Sequence, residues 1–381
     1  MAPRSRVRAA PRRPAGCGRR ERRHRGRERV AVPIVSRPVV GLPPHVLDQS
    51  EVLDHLTRRL RGNPKIAAIR RVLENTTVRS RRAVIPFDQI VAHTGLSKRN
   101  RLHLEHAVGL ATNTALDALD AANCTANDID ALVVANCTGH SLPGVDAHLV
   151  NTLGLRPTVR RTPIAQMGCA GGAYALARAA QDLAAHPDAT HVLVVAVELP
   201  SLSYQADDLT ISSLVSGALF GDACAATVVS ADDTRSGLRL GAAWEYLLPA
   251  SLDDMVYRVD EAGFHFDTLP SVTDCIIKTV PHLAAWLRTN SPEPQWAPQF
   301  LVSHTGGPKI MDALRDGLGC SEELFAFSRA SLRELGNTAS VAVLDVLART
   351  WHQASSHPGA TGLLVGFGPG VTTVAIRASW N

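Results

Sequence analysis

The chain has 381 residues, 45% of them hydrophobic, and its 40 Lys and Arg against 35 Asp and Glu leave a formal net charge of +5. This is enough apolar material for a large core in two lobes of similar size, and no apolar run reaches membrane-spanning length or follows Met1 as a secretory segment. The seven cysteines (Cys17, Cys124, Cys137, Cys169, Cys224, Cys275 and Cys320), an odd number without CxxC pairs, argue against a disulfide framework and a structural zinc site and fit a reducing cytoplasm.

Residues 1–29 hold twelve arginines and two acids, so the basicity belongs to this segment, and the remainder carries 28 basic against 33 acidic residues. Rich in Arg, Pro and Gly and poor in apolar residues, the segment is expected to be a disordered, solvated tail rather than part of the fold. From Val30 the composition becomes globular. Residues 64–82 carry helical periodicity with Lys65, Arg70 and Arg71 on one side, and 101–122 reads as a long helix. Apolar strand-like runs follow at 131–138, 191–199 and 224–230, with a helix over 170–185. The second half repeats this alternation, with a strand at 300–304, helices near 307–317 and 338–352, and strands at 361–368 and 371–380. Continuous apolar strands interleaved with helices predict sheets covered on both faces, a layered α/β architecture. The expected division is a first half over 30–235 and a second over 236–381.

The chemistry concentrates at three element ends. The stretch TPIAQMGCAGGAYALARAA, Thr162 to Ala180, places Cys169 among small residues where an extended segment turns into a helix. Unpaired N–H groups and the positive end of the helix dipole favour a thiolate there, and the flanking glycines admit a substrate. Such a thiolate is a nucleophile for acyl groups; taken alone, Cys169 reads equally well as a buried small apolar residue. His304, in LVSHTGGPKI, ends an apolar strand, and Asn337, in LRELGNTASVAVL, opens a helix. Singly, these read as a core histidine and a helix cap. Together with Cys169 they suit decarboxylative carbon–carbon bond formation: the thiolate takes an acyl chain while imidazole and carboxamide hydrogen-bond a malonyl thioester carbonyl and stabilise the enolate left by carbon dioxide. Glu198, Asp222 and Asp345 are carboxylates in apolar surroundings, for which structural hydrogen bonding is the expectation. The glycines after Cys169 have neither dinucleotide-binding nor P-loop spacing.

GCAGG around Cys169, SHTGG around His304, GN at Asn337 and GFGPG at 366–370, in that order, resemble the type III polyketide synthases of the chalcone synthase superfamily, from about Val40 to the C-terminus. CTGHSLPG (137–144), ALFGDACAA (218–226) and GFHF (263–266) support the resemblance. It implies a five-layered αβαβα thiolase fold with two pseudo-repeated halves, working as a homodimer. Carried over, Cys169 is the acylated nucleophile, and His304 and Asn337 are the decarboxylation pair. Phe220 is the gatekeeper between coenzyme A tunnel and cavity, with Phe264 the second gatekeeper across an alignment gap. Cys137, Thr138, Ser203, Gly217, Gly221 and Ala339 are expected to line the cavity. Gly366, Phe367, Gly368, Pro369 and Gly370 shape a cyclisation chamber, and Leu142 reaches into the partner's cavity. Lys65, Arg70 and Arg71 either bind coenzyme A phosphates or form a solvated basic face. Neither metal nor redox cofactor is required, the substrates being coenzyme A thioesters.

Pro200 and Leu202 stand where plant chalcone synthases carry smaller polar and branched residues, which favours an aliphatic starter over an aromatic one. Within the bacterial branch the resemblance is to pyrone- and resorcinol-forming enzymes of the germicidin synthase kind more than to naphthalene-forming ones. It implies that an acyl or β-ketoacyl starter on coenzyme A or an acyl carrier protein is extended by malonyl-type units and closed to an α-pyrone. Neither nucleic acid nor membrane is expected as a partner, and the enzyme is expected in the cytoplasm. Two alternatives stand: a ketoacyl-carrier-protein synthase III that stops after one condensation, and a non-catalytic thiolase-fold binding partner.

Overall fold

The continuous apolar runs form one ten-stranded sheet in the computed structural model, which describes residues 32–92, 95–232, 234–261, 263–290, 296–354 and 357–381. The arginine-rich segment 1–29 lies outside the described residues. The first half opens with short strands β1 (Ile34–Val35), β2 (Val39–Gly41) and β3 (His45–Asp48). Helix α1 (Gln49–Arg59) starts where the Asp48 carboxylate accepts the Ser50 N–H at 2.8 Å, satisfying an orphan donor of the first turn. Helix α2 (Ile66–Glu74), strand β4 (Ser80–Ala83) and the single turn α3 (Phe87–Ile90) follow. The helix expected over 64–82 therefore ends at Glu74. Thr77 sits in the left-handed region at φ 64°, where a β-branched residue is strained, and the chain turns into β4.

Helix α4 (Leu96–Ala121) buries Ala107, Ala111, Ala115 and Ala118, a small-residue stripe that packs on the sheet. Gly41 of β2 lies beneath it, where an added Cβ would stand 1.9 Å from Thr114 Oγ1. Then come β5 (Ala131–Ala135), α5 (Val145–Thr152), β6 (Arg160–Ile164), α6 (Gly171–Ala185), β7 (His191–Glu198), α7 (Ile211–Leu219) and β8 (Ala223–Ser230). The second half contains β9 (Leu238–Leu247), the hairpin β10 (Met255–Val259) and β11 (Phe264–Thr268), and α8 (Val272–Thr289). It continues through β12 (Phe300–Ser303), α9 (Pro308–Leu318), α10 (Ala326–Leu335), α11 (Ala342–Ala354), β13 (Thr361–Gly368) and β14 (Thr372–Trp380).

The sheet order is β12-β13-β14-β9-β1-β8-β7-β5-β6, with β2 on β8, and the two-residue strand β1 joins the halves by pairing both β8 and β9. Helix α6 touches β5 and β7 of one half and β13 and β14 of the other, with α11 beside it. Helix α4 covers β7 and β8. A third apolar cluster packs α8 and α9 residues with Leu301, Leu363 and Val365 of β12 and β13. The buried faces thus alternate helix, strand, helix, strand, helix. β5 and β7 are parallel, as are β12 and β13, and each set continues into an antiparallel pair, β7–β8 across α7 and β13–β14 directly.

Candidate active site

Three glycine-marked loops meet at one end of α6. A 3-10 turn over Gly168–Ala170 carries Cys169 and runs straight into α6. Gly168 has φ 50°, and a Cβ there would lie 2.4 Å from Pro369 Cδ. A Cβ on Gly172 would stand 2.1 Å from the Ser340 carbonyl oxygen, and one on Gly368 2.3 Å from the Met167 carbonyl oxygen. The glycines of GCAGG and GFGPG are therefore needed because three backbones approach too closely for side chains.

Asn337 is pinned through its main chain. Its N–H donates to Leu219 O at 2.8 Å and its carbonyl accepts the Gly221 N–H at 3.1 Å, bracketing Phe220. Its Oδ1 accepts the Ala339 N–H at 2.9 Å, and its carboxamide N–H donates to Cys169. His304 follows β12, its N–H donating to Val365 O at 2.9 Å. Its imidazole is buried, Nδ1 has no hydrogen-bond partner among the described residues, and a Cβ on Gly306 would touch the ring at 3.2 Å.

Burial pushes the Cys169 thiol up to about 12, with the Glu198 carboxylate adding to the rise and the Asn337 hydrogen bond opposing it. Burial pulls the His304 imidazole down to about 3. Burial thus opposes the thiolate that a helix N-terminus favours, and it favours the neutral imidazole at His304. A neutral imidazole and a carboxamide are both donors that need not first lose or gain a proton.

Glu198 closes the floor as a clamp between the halves. Its Oε2 accepts the Cys137 N–H (3.0 Å), the Thr138 N–H (3.2 Å) and the Thr138 hydroxyl (2.9 Å), and its Oε1 accepts the Ser340 hydroxyl (2.5 Å). Asp222 accepts from Val84 N, Ser201 N and Ser201 Oγ, and Asp345 pairs with Arg349 at 2.8 Å. All three carboxylates thus have the structural partners anticipated for them.

A cavity of about 450 Å³ opens at Cys169. Cys137, Thr138, Ser203, Gly217, Phe220, Phe264, Ala339 and Pro369 line it. The rest of the expected set is placed elsewhere. His304 and Asn337 are buried and off the wall. Gly221 packs on Arg81, Gly366 and Gly368 pack on the Cys169 turn, and Gly370 lies against Leu247 and Leu252. Phe367 is buried in the second-half core. Leu142 is 89% exposed, and Leu202 is buried without reaching the wall. Lys65 and Arg71 are exposed on or beside α2, and Arg70 pairs with Glu74 at 2.8 Å; none lines the cavity.

The sequence reading missed Tyr257 and Phe266. Phe266 meets Phe220 edge to face, with centroids 5.0 Å apart, whereas Phe264 stacks on Tyr257 at 5.2 Å. The Tyr257 hydroxyl lies 2.7 Å from Ser203 Oγ. Residues 264 and 266 share one face of β11 because strand side chains alternate, a signal available from GFHF itself. The cavity wall also carries an apolar cluster, Leu47, Val52, Leu56, Phe87 and Ile90, with His55 and Arg81 beside it.

The N-terminal domain of the chalcone and stilbene synthases matches residues 20–233, and the C-terminal domain of the same enzymes matches residues 239–378. The chain belongs to the chalcone and stilbene synthase family. It is a type III polyketide synthase, an acyltransferase performing decarboxylative Claisen condensations of malonyl-CoA, and the family works on coenzyme A thioesters without a cofactor. The chain is 38% identical to 1,3,6,8-tetrahydroxynaphthalene synthase of Streptomyces coelicolor, covering 91% of each. The solved structure of that synthase superposes with a TM-score of 0.88 over 91% of this chain and 99% of that one. Phloroglucinol synthase of Pseudomonas fluorescens is also 38% identical, over 90% of this chain and 98% of the relative. Germicidin synthase of S. coelicolor, 27% identical, matches with a TM-score of 0.86 over 92% and 100% of the two chains. Identity is thus higher to the naphthalene-forming synthase than to germicidin synthase, while both share this type III polyketide synthase fold. No helix among the described residues is long and apolar enough to cross a membrane.

Proposed function

We propose that this type III synthase loads an aliphatic acyl or β-ketoacyl starter on Cys169, extends it with a few malonyl-type units and releases an α-pyrone by lactonisation. The thiol of Cys169 attacks the starter thioester, its proton passes by way of His304 to the departing carrier sulfur, and the carrier leaves as a free thiol. His304 and Asn337 then hydrogen-bond the malonyl thioester oxygen, carbon dioxide departs, and the enolate carbon attacks the acyl-cysteine carbonyl. Regenerated Cys169 accepts the lengthened chain for the next cycle. The observation that carries the aliphatic starter is the cluster of Leu47, Val52, Leu56, Phe87 and Ile90 on the cavity wall, a largely apolar surface in which His55 and Arg81 are the polar members.

In this reading Phe220 and Phe266 form the gate through which thioesters reach Cys169, with coenzyme A phosphates toward the basic side of α2, where Lys65 and Arg71 are exposed. The enzyme acts in the cytoplasm as a homodimer, whose partner covers the exposed Leu142, and takes starters from coenzyme A or a carrier protein.

A second reading is favoured by the 38% identity to synthases named for tetrahydroxynaphthalene and phloroglucinol, and by Tyr257, whose ring narrows the starter space. In it malonyl units alone build an aromatic product. Mass spectrometry of products from malonyl-CoA alone and with a medium-chain acyl-CoA separates the two. Starter-containing lactones of two or more condensations support the pyrone; an aromatic product from malonyl-CoA alone, unchanged by acyl-CoA, overturns it.

A further inference from the structure

The C-terminus of a helix leaves its last carbonyls without partners, and α7 ends at the gate. Each carbonyl from Gly217 to Phe220 is nevertheless answered. Arg81 Nη1 donates to Gly217 O at 2.7 Å and to Phe220 O at 3.3 Å. Gln49 Nε2 donates to Ala218 O at 2.9 Å, and Leu219 O takes the N–H of catalytic Asn337 at 2.8 Å. The two braces are themselves joined, Arg81 Nη2 donating to Gln49 Oε1 at 2.5 Å.

Arg81 is among the most buried large side chains of the molecule, and its hydrogen bonds go to two carbonyls and a carboxamide rather than to a carboxylate. The buried Asp222 carboxylate acts on Arg81 through its charge but makes no hydrogen-bonded ion pair with it, and a guanidinium buried in this way is costly compared with an apolar residue of the same size, so stability alone does not account for it. Gly221 shows how closely the segment lies on this brace: a Cβ there would stand 2.9 Å from Arg81 Cβ. Segment 217–221 therefore has the buried Arg81–Gln49 pair on one side and Asn337 on the other, with Phe220 projecting between them into the cavity.

We propose that Arg81 and Gln49 are positioning residues that hold the end of α7, fixing the gate phenylalanine and the catalytic asparagine relative to each other and so setting how far the chain grows before release. Control of chain length rests on the reading of Phe220 as the gate; the brace itself rests on hydrogen bonds alone.

Two measurements on the full-length chain test it, using Arg81→Lys and Gln49→Leu. Lysine keeps the charge but reaches one carbonyl rather than the fork of three acceptors. Hydrogen exchange in a peptide spanning 214–224 should speed up by about threefold or more in both variants, with α6 unchanged, because the orphaned carbonyls loosen the helix end. The ratio of short to full-length products should shift by about threefold toward short ones, since small misplacements of reacting groups are amplified in rate. A merely structural role predicts exchange rising throughout the molecule and all products falling in parallel at a fixed ratio, and either result overturns the proposal. If Arg81→Lys fails to fold, Gln49→Leu decides alone. If the parent never acylates Cys169, the proposed function fails, while the exchange experiment still decides the brace.

Discussion

The two halves of the molecule place similar backbone at the site and fill it with different chemistry. In each, a 3-10 turn feeds a central helix that leads into an antiparallel strand pair: 168–170 into α6, and 339–341 into α11. The first delivers Cys169, the second follows Asn337. In each, a parallel strand ends beside the first strand of that pair, Ala135 pairing with Ala196 and Ser303 with Val365. The next residue is Asn136 in one half and His304 in the other. Asn136 is committed, its carboxamide donating to Val197 O at 2.6 Å and lying 3.3 Å from His103 Nε2. His304 Nδ1 has no partner among the described residues. Two places further along that strand, the first half carries the Glu198 clamp and the second carries Phe367 in its core. The same scaffold thus commits Asn136 and Glu198 of one half to structure around Cys169, and leaves His304 Nδ1 of the other without a partner among the described residues.

Comparing the loss of Asn136 with the loss of His304 is the sharpest way to break this contrast. His304→Ala should lower kcat/KM by about a hundredfold to a thousandfold, through lost transition-state hydrogen bonding, while thermal stability changes little. Asn136→Ala should do the reverse, losing about 1 kcal/mol of stability with activity kept within a few-fold. Equal losses of activity would end the distinction.

The glycine seam between the halves gives the next largest effect. Gly168→Ala demands a left-handed alanine 2.4 Å from Pro369, and Gly172→Ala drives a methyl to 2.1 Å from Ser340 O. Each should lower stability by about 2–4 kcal/mol in denaturant titration. Gly154→Ala is the control: its φ is 65°, but no atom lies within 4 Å of the added Cβ, so it should lose only about 1 kcal/mol.

Acid sharpens the contrast in another way. Because burial holds the His304 imidazole down at about 3, the unfolded chain binds a proton below its ordinary 6.5 that the native state refuses. Stability from this group is therefore complete above pH 6.5 and lost as pH falls toward 3. Relative to His304→Gln, the parent should lose about 1.4 kcal/mol for each pH unit between about 6 and 4. Asp222, pushed up to about 6 by burial, titrates in both proteins and cancels in the difference. A pH-independent difference would show that the imidazole is already protonated in the fold. The smallest effect lies outside the seam: Lys65→Ala with Arg71→Ala should raise KM for malonyl-CoA by about two- to fivefold with kcat unchanged.

The strands were legible where both faces are buried. ALVVA, HVLVVAVE and TGLLVGFG have no polar face to blur the signal, and β13 matches its expected bounds of 361–368. The helix read over 64–82 failed because periodicity says nothing of the turn at Thr77. Strands β10 and β11 escaped notice because they are half-buried and mix aromatic, charged and polar residues. At the site, the proposed catalytic residues Cys169, His304 and Asn337 were readable because glycine stands next to or near each of them. Of GFGPG only Pro369 reaches the cavity wall: its glycines mark close backbone contact, with the Cys169 turn at Gly366 and Gly368 and with Leu247 and Leu252 at Gly370. Arg81 carried no such mark, since only the fold brings β4 beneath the end of α7.

The most direct test of the division of labour is carbon dioxide release from malonyl-CoA by Cys169→Ala and by His304→Ala. Cys169→Ala should still decarboxylate malonyl-CoA while making no polyketide, because His304 and Asn337 remain to stabilise the enolate. His304→Ala should lose both. Decarboxylation abolished in Cys169→Ala, or intact in His304→Ala, would contradict the assignment of the nucleophile to one half and the malonyl chemistry to the other.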